Sequence, residues 1–232
     1  MTTISERLQA VRMLIQSASR NAGRHPQDVM LLAVSKAHPA ADIRAAFAAG
    51  QATFGENYLQ EALDKQAKLK DLAIEWHFIG PIQSNKTQPI AQHFAWVHGV
   101  DRLKIAERLN AARPDHLPPL QICIQINVSN EASKSGVLPT ELDALADAIT
   151  SRLPRLQLRG LMAIPAPTTD IELQRQQFKM VRLAYEVLQN RGLKLDTLSM
   201  GMSEDFAAAI AEGATIVRIG SAIFGARPIS EK

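Results

Sequence analysis

Cysteine occurs once, as Cys123, so no disulfide can form within the chain, and a lone thiol suits a reducing cytosol. Aromatic residues make up only 5% of the sequence. No Lys/Arg block carries interleaved aromatics, which argues against a nucleic-acid surface. Neither sign of charge dominates: 26 Lys and Arg stand against 23 Asp and Glu, a formal balance of +3. No apolar run approaches the roughly 18 residues needed to span a bilayer. Met1 to Arg20 is interrupted by Glu6, Arg7 and Arg12, unlike the apolar stretch of a secretion signal. A cytoplasmic chain without membrane or nucleic-acid partners is expected. The sequence also contains no G-x-G-x-x-G, no H-E-x-x-H and no Cys/His cluster. That removes the usual dinucleotide fingerprint and zinc motifs. The six histidines are scattered and read as ordinary surface or strand-end residues, so no metal is expected.

What is present is a regular alternation. The 232 residues are 46% hydrophobic, enough to bury a core without staples. Ile4, Leu8, Val11 and Ile15 recur at helical spacing, so the chain opens with an amphipathic helix. Eight short apolar runs follow: Val29–Ser35, Ala52–Gly55, Ile74–Gly80, Trp96–Val100, Leu120–Val128, Leu156–Ala163, Thr197–Gly201 and Thr215–Ile219. Helical patterns separate most of them, at Pro39–Ala49, Leu59–Leu69, Leu103–Ala112, Thr140–Ile149, Ile171–Asn190 and from Ser203. Strands alternating with helices predict a parallel sheet, and eight of them predict closure into a (β/α)₈ barrel. A doubly wound open sheet is the alternative. One domain spanning residues 1–232 is expected, because no linker or repeat interrupts the alternation. Within Leu120–Val128 the aliphatic residues should face the helices, and Gln121, Cys123, Gln125 and Asn127 the barrel interior. No sustained exposed apolar helix stripe is apparent, so a monomer is expected.

Active sites of such barrels lie at the C-terminal ends of the strands. Lys36 directly follows the first run, and alternation from Met30, Leu32 and Val34 points it inward. Desolvation there would ease loss of its proton, and a neutral amine is what Schiff-base chemistry needs. The plain alternative is a lysine that snorkels to solvent. Ser203 follows the seventh run, and Gly220 and Ser221 follow the eighth. Loops at these two positions commonly bind phosphate through backbone N–H groups. The plain alternatives are an N-cap for Ser203 and a simple turn for Gly220. Two other motifs are decoys. Gly80–Thr87 approximates a phosphate loop, but Asn85 replaces the glycine before Lys86, and Pro81 lacks an N–H. Gly201-Met-Ser203-Glu-Asp205 is not a nucleophile elbow, since Asp205 stands where the last glycine belongs.

Six segments carry a resemblance: Leu32-Ala-Val-Ser-Lys36, Phe54-Gly-Glu-Asn-Tyr58, Trp76-His-Phe-Ile-Gly-Pro-Ile-Gln-Ser-Asn-Lys86, Leu161-Met162, Ser199-Met-Gly-Met-Ser-Glu-Asp-Phe206 and Val217-Arg-Ile-Gly-Ser221. Through them the chain resembles the pyridoxal phosphate homeostasis protein family over essentially its whole length. The resemblance implies a barrel like the N-terminal domain of alanine racemase, with pyridoxal 5′-phosphate (PLP) held as a Schiff base on Lys36. It implies that Ser203, Gly220 and Ser221 bind the phosphate, that Arg218 faces the pyridine nitrogen and that Asn57 lies near the ring. Members of the family buffer or deliver PLP, with apo-PLP enzymes as the implied recipients and no robust catalysis attached.

A second reading is a PLP-dependent racemase-like enzyme. Racemisation needs an acid/base on each face of the substrate carbon. Tyr58 and Tyr185 are the only tyrosines; Tyr185 should lie in an outer helix, and Tyr58 at the start of one. Ala222 to Lys232 are expected to be too few for a second domain. A phosphate-binding barrel enzyme without PLP is a third reading.

Overall fold

The computed structural model describes residues 2–128 and 135–226. The chain beyond 226, invoked above against a second domain, lies outside the described residues. The elements are α1 (Ile4–Asn21), β1 (Met30–Val34), α2 (Ala40–Ala48), β2 (Thr53–Glu56), α3 (Leu59–Lys68), β3 (Glu75–Phe78), α4 (Thr87–His93), β4 (Trp96–Val100), α5 (Leu103–Ala112), β5 (Leu120–Gln125), α6 (Pro139–Arg152), β6 (Leu156–Met162), α7 (Ile171–Asn190), β7 (Thr197–Ser199), α8 (Phe206–Ala211), β8 (Ile216–Ile219) and α9 (Ser221–Phe224). All eight strands are parallel and close in sequence order, with β8 paired back onto β1. The barrel expected from the alternation is the observed fold, and the open sheet is not.

Side-chain alternation divides the wall into two layers. On β1, Leu31 and Ala33 join the outer core under the helices, whereas Leu32 and Val34 pack inside with Ile79 and Ile216. On β5, Leu120, Ile122 and Ile124 face outward, and Cys123 packs inside with Trp96 and Met162. Each strand therefore buries both faces, the normal condition of a parallel sheet covered by helices. Thr3 and Glu6 form a capping box at the start of α1. The buried side of α1, Leu8, Val11 and Ile15, packs across α2, α8 and α9. Arg7 Nε also donates to the Ile223 carbonyl at 2.6 Å, so α1 straps the seam where β8 meets β1.

Three local expectations change. The fifth strand stops at Gln125 rather than Val128. Asn127 N instead donates to Val137 O, and Val137 N to Gln125 O, so the strand end folds against the approach to α6. The helix α4 is absent from the sequence reading because it is seven residues long and contains Pro89; its first turn tolerates proline. The helix α7 does carry an exposed apolar stripe, Leu173, Met180, Leu183 and Val187, opposite its buried residues Phe178, Val181 and Leu188. The absence of such a stripe therefore cannot support a monomer. Apolar residues recur on both sides of this helix, and periodicity identified only the side that meets the barrel.

The layer assignment predicts unequal costs of truncation. Ile122→Ala, in the fully buried outer core, should destabilise the fold by about 2–5 kcal/mol. Leu183→Ala, on the exposed stripe, should stay within about 0.5 kcal/mol. Urea denaturation of the two variants distinguishes the outcomes.

Candidate functional site

The sequence-selected residues converge on one rim. Lys36 follows β1, Asn57 follows β2, Ser203 follows β7, and Gly220 and Ser221 follow β8. These four strands are consecutive around the closed barrel, in the order β7, β8, β1, β2. Lys36 lies two residues beyond Val34 of the inward row and is half-buried.

Ser203 does not cap a helix. The N-cap position of α8 belongs to Asp205, and residues 202–205 form a turn in which Asp205 Oδ1 accepts from Met202 N at 2.6 Å. The Ser203 hydroxyl instead lies 3.5 Å from that of Ser221, so two donors from neighbouring loops face each other. Gly220 has a structural reason of its own: a Cβ there would come within 3.0 Å of the Val34 carbonyl, so glycine allows β8 to press against β1. Gly80, the first glycine of the false phosphate loop, is explained in the same way. A Cβ on it would collide with the backbone of Asn57. That contact fixes Asn57, whose Oδ1 is buried without a hydrogen-bond partner. A buried acceptor left unpaired is costly, and a ligand donor at the rim would satisfy it.

Beneath the rim, Arg218 points inside the barrel and is buried. Its Nη1 donates to Ser199 O at 2.5 Å and to Ser199 Oγ at 2.8 Å, and its Nη2 donates to Ala163 O at 2.9 Å. Burial pulls its pKa down to about 10, which leaves it charged at neutral pH. The bonding continues through two histidines that the sequence reading treated as unremarkable. His98 Nδ1 lies 2.8 Å from Ser199 Oγ, His98 Nε2 lies 2.9 Å from His77 Nδ1, and His77 Nε2 lies 2.9 Å from Glu75 Oε1. One set of tautomers satisfies every atom. Glu75 accepts from His77 Nε2–H, His77 Nδ1 accepts from His98 Nε2–H, and His98 Nδ1 accepts from the Ser199 hydroxyl. Both rings are then neutral, in keeping with burial holding both pKa values below the ordinary histidine range. The signal for them was available: His77 and His98 occupy alternating positions on β3 and β4, as Cys123 does on β5. Cys123 is inert, its thiol pKa pushed up to about 12 by burial.

A cleft of about 560 Å³ opens at the opposite end of the barrel, lined by Glu75, Trp96, Arg113, Arg159 and Asp196 among others. Its charges are already paired: Arg159 with Asp196, Glu75 with His77, and Arg113 with the carbonyls of Ala91 and Phe94. The converging donors at the C-terminal rim, rather than that volume, mark the candidate site. No helix among the described residues is long and apolar enough to cross a membrane.

A family model described as alanine racemase, N-terminal domain, matches residues 7–228. A pyridoxal phosphate homeostasis protein of Pseudomonas aeruginosa is 61% identical over 98% of this chain and 97% of its own length. The pyridoxal phosphate homeostasis protein of Escherichia coli K12 is 52% identical over 100% of both chains. Among solved structures, PipY of Synechococcus elongatus with PLP bound gives a TM-score of 0.84 at 40% identity. The match covers 96% of this chain and 100% of that one. The barrel and its rim are thus of the class of the alanine racemase N-terminal domain. Within that class, the chain belongs to the pyridoxal phosphate homeostasis protein family.

The buried histidines predict a pH dependence of stability. Unfolding returns both imidazoles to an ordinary pKa of about 6.5. Below that value the unfolded chain binds protons that the folded chain resists, so this contribution to stability is lost as pH falls from 7 towards 5. Thermal melts across this range should show a smaller fall in His98→Gln, whose amide can still donate to His77 and accept from Ser199. An unchanged pH slope would refute the neutral buried pair.

Proposed function

We propose that this chain holds PLP through Lys36 and acts in its intracellular homeostasis, buffering the cofactor and delivering it to apo-enzymes rather than catalysing a reaction. The observation that carries this reading is the single rim on which an amine, two facing hydroxyls and an unpaired buried acceptor meet, in a chain with full-length relatives named for PLP homeostasis. PLP supplies an aldehyde that condenses with a primary amine to a Schiff base, and a phosphate that attracts N–H and O–H donors.

The roles follow from position. Lys36 provides the amine. Ser203 and Ser221 hydroxyls, with the backbone amides of their turns around Gly220, bind the phosphate as charge-assisted donors. Arg218, which stays charged at neutral pH, would offer a cation to the ring nitrogen and disfavour a proton there. Asn57 Oδ1 would accept from a hydroxyl of the cofactor or from water bound beside it. All these groups come from one barrel, so the working unit is the single chain, one domain over residues 1–232, and its setting is the cytoplasm. The racemase alternative lacks a tyrosine placed as second acid/base among the described residues. Tyr185 donates its hydroxyl to Leu195 O at 2.8 Å on the outside of the barrel, and Tyr58 is 58% exposed before α3.

Three experiments test this. Borohydride treatment of the PLP-loaded protein should fix the cofactor on the peptide containing Lys36, and Lys36→Ala should abolish the link. Ser203→Ala should weaken retention by about 1.5–3 kcal/mol, the worth of a hydrogen bond to a charged group, with little change for unphosphorylated pyridoxal. Fixation on Lys86 would overturn the assignment. Deuterium exchange at the α-carbon of alanine should stay close to that of free PLP; exchange at an enzymatic rate that vanishes in Lys36→Ala would establish the racemase reading instead.

A further inference from the structure

The residues on either side of Lys36 are held by one buried ion cluster that the rim chemistry does not use. Ser35 Oγ donates to Glu56 Oε1 at 2.6 Å. Lys65 Nζ, from α3, donates to the Ser35 carbonyl at 2.7 Å, to Glu56 Oε1 at 2.7 Å and to Glu61 Oε1 at 2.5 Å. Ala37 N donates to Glu61 Oε1 at 2.6 Å. The Ser35 carbonyl also accepts from His38 N at 3.1 Å, which closes a four-residue turn with Lys36 at its second position. Ala37, at the third, has φ +63° and is the only non-glycine residue with positive φ among the described residues. Positive φ at that position defines a type II turn, where glycine is normal, so an alanine there is strained.

Both features are expensive, and neither is explained by stability. The Lys65 and Glu56 side chains are 6% and 0% exposed. A pair so buried roughly breaks even against an apolar pair of the same volume. Backbone strain persists only where the surroundings over-determine it. Here a pinned carbonyl, a pinned hydroxyl and a pinned amide bracket one residue. On the function proposed above, that residue is the one that must present its amine in a fixed direction.

We propose that Lys65, Glu61 and Glu56 are positioning residues for Lys36: a buried clamp, outside the barrel wall, that locks the strained Ser35–His38 turn and so aims the Lys36 amine at the cofactor aldehyde. The clamp touches the backbone around Lys36 and takes no part in bonding the cofactor.

The test uses the full chain with Glu61→Ala, the charge-neutral double variant Lys65→Met/Glu56→Met, and Ala37→Gly, which relieves the positive φ and so folds at least as well. The first measurement needs no PLP. Hydrogen exchange at the Ala37 amide should speed up about tenfold or more in Glu61→Ala, the loss expected for a charge-assisted bond. Glu61→Gln, which keeps an acceptor, should restore part of the protection. The second is the rate at which added PLP becomes borohydride-fixed on Lys36. It should fall about tenfold in Glu61→Ala and in the double variant, and stay at the wild-type rate in Ala37→Gly, whose glycine suits the same turn. Wild-type exchange in Glu61→Ala, or wild-type fixation rates in Glu61→Ala and the double variant, would overturn the proposal. If the unmodified protein fixes no PLP on Lys36, the functional reading fails, and the exchange arm alone still decides whether the clamp exists.

Discussion

Closure of β8 onto β1 is the contact on which the site depends. Its register, Met30 with Ile216 through Ala33 with Ile219, brings together the two ends of the chain's alternation. It places Gly220 against Val34 and therefore the Gly220–Ser221 turn beside the lysine-bearing turn. Without this pairing, Lys36 and Ser221 would sit on opposite edges of an open sheet. The seam is reinforced from outside by α1, which packs on α2, α8 and α9, and by the Arg7 bond to the Ile223 carbonyl. The extra N-terminal helix thus serves the site without entering it.

Closure also creates an interior that must be filled, and this barrel fills it with two materials. Leu32, Val34, Ile79 and Ile216 form one apolar cluster, and Trp96, Cys123 and Met162 another. Between them runs the polar chain from Arg218 through Ser199, His98 and His77 to Glu75. A buried guanidinium needs acceptors for its donors. Two backbone carbonyls and the Ser199 hydroxyl provide them, and the histidines accept and relay in turn until the last donor reaches a half-exposed carboxylate. Each link is satisfied only in one tautomer, so the network holds Arg218 in one orientation. Such all-or-none satisfaction is what makes a buried polar network specific.

Much of this was legible in the sequence, for identifiable reasons. Strand and helix alternation is a local signal, and eight repeats of it announce a barrel. Lys36, Ser203, Gly220 and Ser221 could be picked out because strand ends and glycine-rich turns are punctuated in the sequence. The polar chain was not read, although alternation places His77 and His98 inward, because a histidine outside a ligand motif carries no mark of burial. The clamp was still less visible. Glu56, Glu61 and Lys65 look like ordinary strand-end and helix-face charges, and Glu61 and Lys65 have the spacing of a surface i, i+4 pair. Only the fold shows that Lys65 turns under the wall to reach the Ser35 carbonyl. Likewise, nothing in the letters of Ala37 signals a positive φ, where glycine would have declared it.

The distribution of exposure around the rim bears on what kind of protein this is. The groups proposed to orient are buried: Arg218, the unpaired Asn57 oxygen and the Lys65–Glu56 pair. The hydroxyls proposed to hold the phosphate are not, since Ser221 is exposed and Ser203 half-buried. Hydrogen bonds at a wet rim contribute less than the same bonds in a dry site, because solvent competes for their groups. A catalyst gains by excluding water from developing charge. A carrier must let its cargo go, and open hydroxyls beside Lys36 would suit that need. On the proposed function, the rigid part of the site would select and align, and the wet part would set how readily the ligand leaves. On this argument, release is governed by the β7 and β8 turns rather than by the barrel beneath them.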